Sequence, residues 1–452
     1  KVTAHFESER MRAEVYLDGK LVGYDIVGES PFDADLTDAV VPGKDQTLAV
    51  RVTSPGGNFH WQDFTQMRWG EYPIPPSRSF SGLIGRVRVD VTDPVYIEDV
   101  YMQNQPVANT VKAIVNVRNT GAKPVSRTLS YKVSSKDDPK GTTILASNRK
   151  VRLEPGDNEV VFDINYPEAT LWSPATPELY RCDVTVADGK KALDRDGRVF
   201  GFRWFAPDGI GKEAVVRLNG RRMMLRSAIS WGYWPATGLY ATPEMARRQI
   251  ATAQSMGLNM LNFHRSIGSP VVLEQADSMG LLYYEEPGAF HSADHNPFIR
   301  TIVNTKLRRM VKRDRSHPSL VIFNLINELG GARAADKELM AKRRDDLVKA
   351  HAVDPSRVMT LTSGWASNEQ AEEDSKFHMR PYDPTPYFRG WYDNHRAGGP
   401  ATWEDGYYRS RRDNLMFTDN HTEVYMRGEE GAISTPVSYT HLRAHETVLD
   451  LV

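Results

Sequence analysis

Residues 313–331 read RDRSHPSLVIFNLINELGG, and this stretch decides the fold. An apolar run from Leu320 through Phe323 continues to Leu325 and Ile326, then stops at Asn327-Glu328, with Gly330-Gly331 following. A short apolar run, interrupted only by Asn324, suits a strand buried on both faces, as in parallel sheets. Two polar groups therefore end a core strand. In a β/α barrel the C-terminal strand ends carry the active site, so residue type and position together point to catalysis.

The flanking sequence supports a barrel. LNGRRMMLRSAI (218–229) reads as a strand, and Thr242 as N-cap with Pro243 at the first helical position opens a helix over TPEMARRQIATAQSMG, which Gly257 can close. The strand LNMLNFH (258–264), a helix over VVLEQADSMG (271–280), the strand LLYYEE (281–286) and a helix through FIRTIVNTKLRRMVKRDRS (298–316) follow. Such alternation implies right-handed βαβ units and a parallel sheet, most economically a (β/α)₈ TIM barrel over 206–436.

Upstream the pattern is all β. In RAEVYLDGKLVG (12–23), Asp18-Gly19 between two alternating segments marks a tight hairpin. TLAVRVTS and LIGRVRVDV add strands, separated by an aromatic and Pro/Gly-rich excursion over 56–82. Residues 1–94 thus read as a β-sandwich lacking its first strands. Short strands such as TVKAIVNVRN, RTLSYKVSS, NEVVFDINY and YRCDVTVAD, broken by NTGAKP, DDPKG and EPGDN, make 95–205 an immunoglobulin-like β-sandwich. The expected architecture is multidomain: sandwich, sandwich, barrel.

Bulk properties narrow the function. At 452 residues the chain exceeds one ordinary core, and Lys plus Arg (57) balance Asp plus Glu (58), leaving no bulk positive field for nucleic acid. No apolar run is long enough to span a bilayer. The single Cys182 excludes an internal disulfide and a cysteine-based zinc site. The first residues lack an initiating Met and a signal peptide, so the true start is expected to lie upstream. Residues 437–452 resemble translated sequencing-adapter read-through and are set apart as a non-native tail.

Glycosidic hydrolysis needs two carboxyl groups across the anomeric carbon, so a second carboxylate must converge on Glu328. The best candidate lies in EVYMRGEEGAISTP (423–436), where a strand-like segment leads to Glu429-Glu430-Gly431. That placement puts Glu328 near the fourth barrel strand and Glu429 near the seventh.

Taken in order, these motifs resemble glycoside hydrolase family 2, the group of β-galactosidases, β-glucuronidases and β-mannosidases. RAEVYLDGKLVG with SFSGLIGRVRV is similar to that family's sugar-binding jelly roll, and LWSPATPELY with GFR (201–203) to the exit from its immunoglobulin-like domain. LNGRRMMLRS is similar to the barrel entry, and HPSLVIFNLINE to the acid/base motif. The resemblance implies Glu328 as proton donor, Asn327 as a ligand of the adjacent sugar hydroxyl, and Glu429 as nucleophile. Two departures stand out. Glu430 occupies the place of an aromatic residue, so Glu430 is the alternative nucleophile, and Asn262 stands where relatives commonly carry Arg, with Arg265 displacing a His.

Further candidates for the sugar pocket are His264 and Arg265, Trp231 and Trp234, Trp365, and Tyr382 with Asp383. Glu286 is read as organising the barrel mouth. His291 and His295 beside Asp294 are read as chance rather than a metal site, and Asn420-His421-Thr422 is a glycosylation sequon by pattern only. No organic cofactor is expected, and no metal-binding residues are singled out, with a divalent or monovalent ion left open. The expected function is a retaining exo-β-glycosidase, β-galactosidase-like, with β-glucuronidase or β-mannosidase specificity as alternatives. A silent carbohydrate-binding protein on the same scaffold is the rival. The resemblance leans toward a periplasmic or secreted protein and leaves a homo-oligomer open. The strand that should close the barrel falls where the tail begins, so the barrel is expected to be incomplete at its C-terminus and the chain to fold poorly.

Overall fold

A computed structural model describes residues 1–53, 68–69, 72–73, 81–209, 215–230, 232, 234, 240–288, 297–327, 337–363, 377–386, 392–396 and 425–430. The adapter-like tail lies outside these.

The first region pairs two small antiparallel sheets. Val2–Phe6 lies between Phe32–Asp35 and Val87–Val91, and Arg12–Leu17 lies between Lys20–Asp25 and Leu48–Thr53. The Asp18-Gly19 turn has φ of 49° and 81°, the left-handed pair that a two-residue hairpin requires. Ala4, Phe6, Ala13, Val15, Phe32 and Ala34 are buried between the sheets, with Phe6 stacked on Phe32 at 4.6 Å.

The second region is an immunoglobulin-like sandwich. A three-stranded sheet of Val95–Asn104, Thr110–Asn119 and Gly156–Asn165 faces a four-stranded sheet of Leu145–Leu153, Val125–Ser135, Tyr180–Asp188 and Lys191–Phe200. Strict alternation explains it: Val111, Ala113, Val115 and Val117 point inward from one strand, and Cys182, Val184 and Val186 from another.

The expected single strand LNGRRMMLRSAI is a hairpin followed by a strand. Asn219 and Gly220, at φ of 52° and 79°, turn Val215–Leu218 back onto Arg221–Met223, and the barrel begins only at β1 (Ser227–Ser230).

From there strands and helices alternate: α1 (Pro243–Ser255), β2 (Met260–Phe263), α2 (Pro270–Met279), β3 (Leu282–Glu285), α3 (Pro297–Asp314), β4 (Leu320–Asn327), α4 (Lys337–His351) and β5 (Val358–Ser363). Thr242 caps α1 by accepting from the Met245 amide at 3.2 Å, and Gly280 closes α2 in the left-handed conformation. β1 to β5 are parallel neighbours. Every residue of β4 is buried, because helices and the barrel interior cover both of its faces. β6 (His378–Met379) pairs antiparallel with β5. β7 (Tyr392–Arg396) and β8 (Tyr425–Glu430) form a parallel pair, and β7 runs beside β5.

The immunoglobulin-like sandwich grips the strand-start face of the barrel. Arg203, fully buried, donates from Nε to the Pro318 carbonyl (2.8 Å) and from Nη2 to the Leu320 carbonyl (2.7 Å) at the start of β4. Burial first, then neighbouring Arg357, pulls its guanidinium down to about 9. Trp172 Nε1 donates to the Asp277 carbonyl at 2.8 Å, and the Tyr101 hydroxyl meets Asp354 and Ser356 ahead of β5. The opposite, strand-end face carries Arg265, Glu286, Asn327 and Ser363.

Candidate active site

The C-terminal ends of β2, β3, β4 and β5, with the residues just past β2 and β3, bring four residues together. β2 ends at Phe263, and Arg265 then turns the chain toward α2 with φ of 54°. Its backbone amide donates to Glu286 Oε2 at 3.2 Å, just past β3. Its Nε donates to Asn327 Oδ1 at 2.7 Å, at the last position of β4. Asn327 Nδ2 donates to Ser363 Oγ at 3.0 Å, at the end of β5, and Ser363 Oγ donates to Glu286 Oε1 at 2.7 Å. The four residues close a ring across four successive strand ends.

The ring fixes its own donors and acceptors. A carboxylate only accepts and a guanidinium only donates, so the Ser363 proton goes to Glu286 and the Asn327 amide must turn its oxygen to Arg265. Asn327 and Glu286 are fully buried, and the backbone leaving Asn327 leads directly to Glu328. A second polar layer lies one turn of the pleat deeper. Thr360 Oγ1 donates to Asn324 Oδ1 at 3.0 Å, and Asn324 Nδ2 donates to the Ile326 carbonyl at 2.8 Å.

The loop bearing Arg265 is supported from behind. Glu285 points away from the ring and accepts from the Gly268 amide at 2.7 Å, while Arg313 donates to the Gly268 carbonyl at 2.6 Å. Burial, and then Asp314, pushes the Glu285 carboxyl far above the usual carboxylate range, against the pull of Arg313.

Of the residues singled out in the sequence, the structure gathers Arg265, Asn327 and Glu286. His264 is buried beside them, its amide donating to the Ser230 carbonyl at 2.9 Å. Trp234 packs in the barrel's main apolar core. Glu328, Trp231, Trp365, His291, Asp294, His295 and the 420–422 sequon lie outside the described residues. Glu429 and Glu430 are the last two residues of β8, with His395 and Arg396 of β7 opposite them in register.

Tyr382 and Asp383 require a correction: the structure places them at the other end of the barrel. Because β6 runs antiparallel to β5, the chain leaving it returns to the strand-start face. There the Tyr382 amide donates to the Pro355 carbonyl at 2.6 Å, its hydroxyl meets the Asn104 carbonyl and Gln105 Nε2, and its ring stacks on Trp204 at 5.9 Å. Asp383 Oδ1 accepts from the Thr385 amide at 2.9 Å. Tyr382 thus serves the junction between barrel and sandwich, and Asp383 holds the turn beside it. Ser363 was missed, although its signal was present: VMTLTSG is an apolar strand ending in polar residues before a Gly, the same sign that marked Asn327-Glu328.

Among the described residues no cluster of His, Cys, Asp or Glu could hold a metal ion, and no helix is long and apolar enough to cross a membrane.

Two β-sandwiches ahead of a β/α barrel with polar strand ends define the architecture of a modular glycoside hydrolase. The sequence profile "Glycosyl hydrolases family 2" matches residues 95–203, and "Glycosyl hydrolases family 2, TIM barrel domain" matches 236–398; the chain belongs to glycoside hydrolase family 2. It is 25% identical over 368 residues to a β-galactosidase of Thermoanaerobacterium thermosulfurigenes, covering 78% of this chain and 47% of the relative. It is 23% identical over 397 residues to a β-glucuronidase of Formosa agariphila, covering 81% of this chain and 39% of that protein. The chain thus spans about half or less of the length of these curated relatives. A solved family 2 member from Bacteroides cellulosilyticus shares the fold with a TM-score of 0.71 at 22% identity, over 83% of this chain and 49% of that one.

Proposed function

We propose that the chain is the core of a retaining exo-β-glycosidase that removes terminal β-linked sugars, β-galactosidase-like in glycone. The supporting observation is the strand-end ring, which immobilises Asn327 beside Glu328 at the barrel's C-terminal face. A sugar docked there would meet a side chain whose position is set on two sides before binding, so little ordering remains at the moment of reaction.

In this mechanism Glu328, protonated, gives its proton to the glycosidic oxygen as the bond to the anomeric carbon breaks. Glu429, ionised, attacks the same carbon from the opposite face and forms a glycosyl ester. Glu328, now a carboxylate, takes a proton from water, the water oxygen displaces Glu429, and the sugar leaves with retained configuration. The two carboxyls are expected about 5 to 5.5 Å apart, as retention requires. Glu430, one residue along β8, is the alternative nucleophile. His264 and Arg265, and from the sequence Trp231 and Trp365, are proposed to contact the sugar. A β-glucuronidase reading has its own support in the relative from Formosa agariphila.

Mass spectrometry after exposure to 2-fluoro glycosides of galactose, glucuronic acid and mannose tests the proposal. A label on the peptide holding Glu429, from the galactoside alone, is the expected result. A label on Glu430 moves the nucleophile, and a label from another sugar changes the glycone. A folded protein that takes no label from any of the three sinks the proposal.

A further inference from the structure

The helix α3 carries Lys306, Arg309 and Arg313 at i, i+3 and i+7, so the three cations share one face. Arg309 reaches the first sandwich, donating to Asp25 Oδ1 at 2.8 Å. Arg313 reaches the loop after β2 through the Gly268 carbonyl. Lys306 is paired with the first sandwich and lies close to the segment after β3. Its ammonium, 3% exposed, is paired with Glu29 of the first sandwich, which Arg10 Nε holds at 2.9 Å. The same ammonium lies 3.5 Å from where a side chain on Gly288 would begin, and the Arg265 carbonyl lies 3.1 Å from that point.

Gly288 is therefore closed in by the Arg265 carbonyl and the Lys306 ammonium, and its φ of 81° and missing side chain permit this. Two residues upstream, Glu286 uses both carboxylate oxygens to hold Arg265 and Ser363. A displacement of 286–288 would move both contacts together.

We infer that Lys306 is a positioning residue: paired with Glu29, it lets the first sandwich hold the 286–288 segment, and through it the Arg265–Asn327–Ser363–Glu286 ring, in place. The inference rests on the strand-end ring being the sugar site. Desolvating an ammonium is costly unless it is paired, so removing Glu29 should loosen the segment as removing the lysine does.

Hydrogen exchange read by mass spectrometry on the full chain, without substrate, tests this. Lys306→Met and Glu29→Gln are compared with Arg309→Met, which cuts a contact between the same helix and the same sandwich but touches no strand-end segment. In the first two, peptides covering 264–268 and 285–288 should exchange about tenfold faster, with the third unchanged there. Equal change in all three, or none in Lys306→Met and Glu29→Gln, overturns the inference. Should Lys306→Met fail to fold, Glu29→Gln against Arg309→Met carries the same comparison. Turnover of an aryl β-glycoside adds a functional reading, in which Lys306→Met lowers kcat more than it raises KM. If the unmodified chain turns over no glycoside, the proposed activity fails while the exchange result still decides the coupling.

Discussion

Arg265 Nε donates to Asn327 Oδ1 across 2.7 Å, tying the end of β2 to the end of β4 over the intervening β3. Strands that are not neighbours in the sheet are thereby joined directly by side chains, beyond the backbone ladders each makes with β3. Glu286 and Ser363 complete the circuit, so disturbing any one member should be felt by the others.

Arg265→Lys should be nearly as damaging as Arg265→Ala. A lysine offers a compact ammonium in place of the planar fork that reaches Asn327 from Nε. Both variants, and Asn327→Ala, are expected to lower kcat/KM on the order of a hundredfold. Steady-state kinetics checks this; full activity in Arg265→Lys would show that Asn327 needs no fixing.

Gly288→Ala should damage the site while Gly257→Ala should not. Both glycines have left-handed backbones, at φ of 81° and 76°, so both substitutions strain the chain by about 1 kcal/mol. Only at Gly288 does the new carbon meet a neighbour, the Arg265 carbonyl at 3.1 Å, whereas nothing lies within 4 Å at Gly257. Both variants should lose Tm, Gly288→Ala the more, and only Gly288→Ala should lose activity. Equal activity in the two variants contradicts the crowding described at Gly288.

The pair His317–Asp277 should make stability fall in the alkaline direction. Burial pushes the imidazole down, but Asp277 at 2.6 Å outweighs it and the net shift is upward. A raised histidine contributes fully below its unfolded value of about 6.5 and loses that contribution as pH rises through the folded value. His317→Gln should lower Tm by about 2 to 4 °C at pH 6 and less at pH 9. An equal loss at both pH values would mean that the pair's charge carries no stability.

Glu9 should contribute a second, broader slope of the same sign. Burial first, then the nearby Asp25, pushes its carboxyl up to about 10, so the folded chain keeps a proton that the unfolded chain releases near pH 4.5. Stability is then lost progressively as pH rises above 4.5 toward 10. Glu9→Gln should narrow the difference in Tm between pH 5 and pH 9. An unchanged difference shows that Glu9 is ionised in the folded protein.

Several of these features could be read in advance, and others could not. The hairpin at Asp18-Gly19 and the cap at Thr242-Pro243 are local, because turn and helix-start chemistry is written in adjacent residues. The hairpin at Asn219-Gly220 carries the same signal, yet the apolar and basic run around it reads equally as one strand. Asn327 declared itself by ending an apolar run. Its partners did not, because a ring drawn from four strands depends on which side chains point inward at each loop. Tyr382 misled for a related reason: β6 is two residues long, and nothing in HMRPYDPT states which way it runs. The link from Lys306 to Glu29 joins residues 277 apart in the chain, and no local pattern announces it.

The capping of Pro318 and Leu320 by Arg203 also decides where this chain can be divided. A cut just after Arg203 would give a barrel whose first β4 carbonyl loses one of its two guanidinium donors, keeping only Arg357, and it would remove the indole of Trp172 from Asp277. The exchangeable part, for recombination between relatives or for grafting onto another scaffold, is therefore the immunoglobulin-like sandwich and barrel together, accompanied by the first sandwich, whose Asp25 and Glu29 are paired with Arg309 and Lys306 of α3.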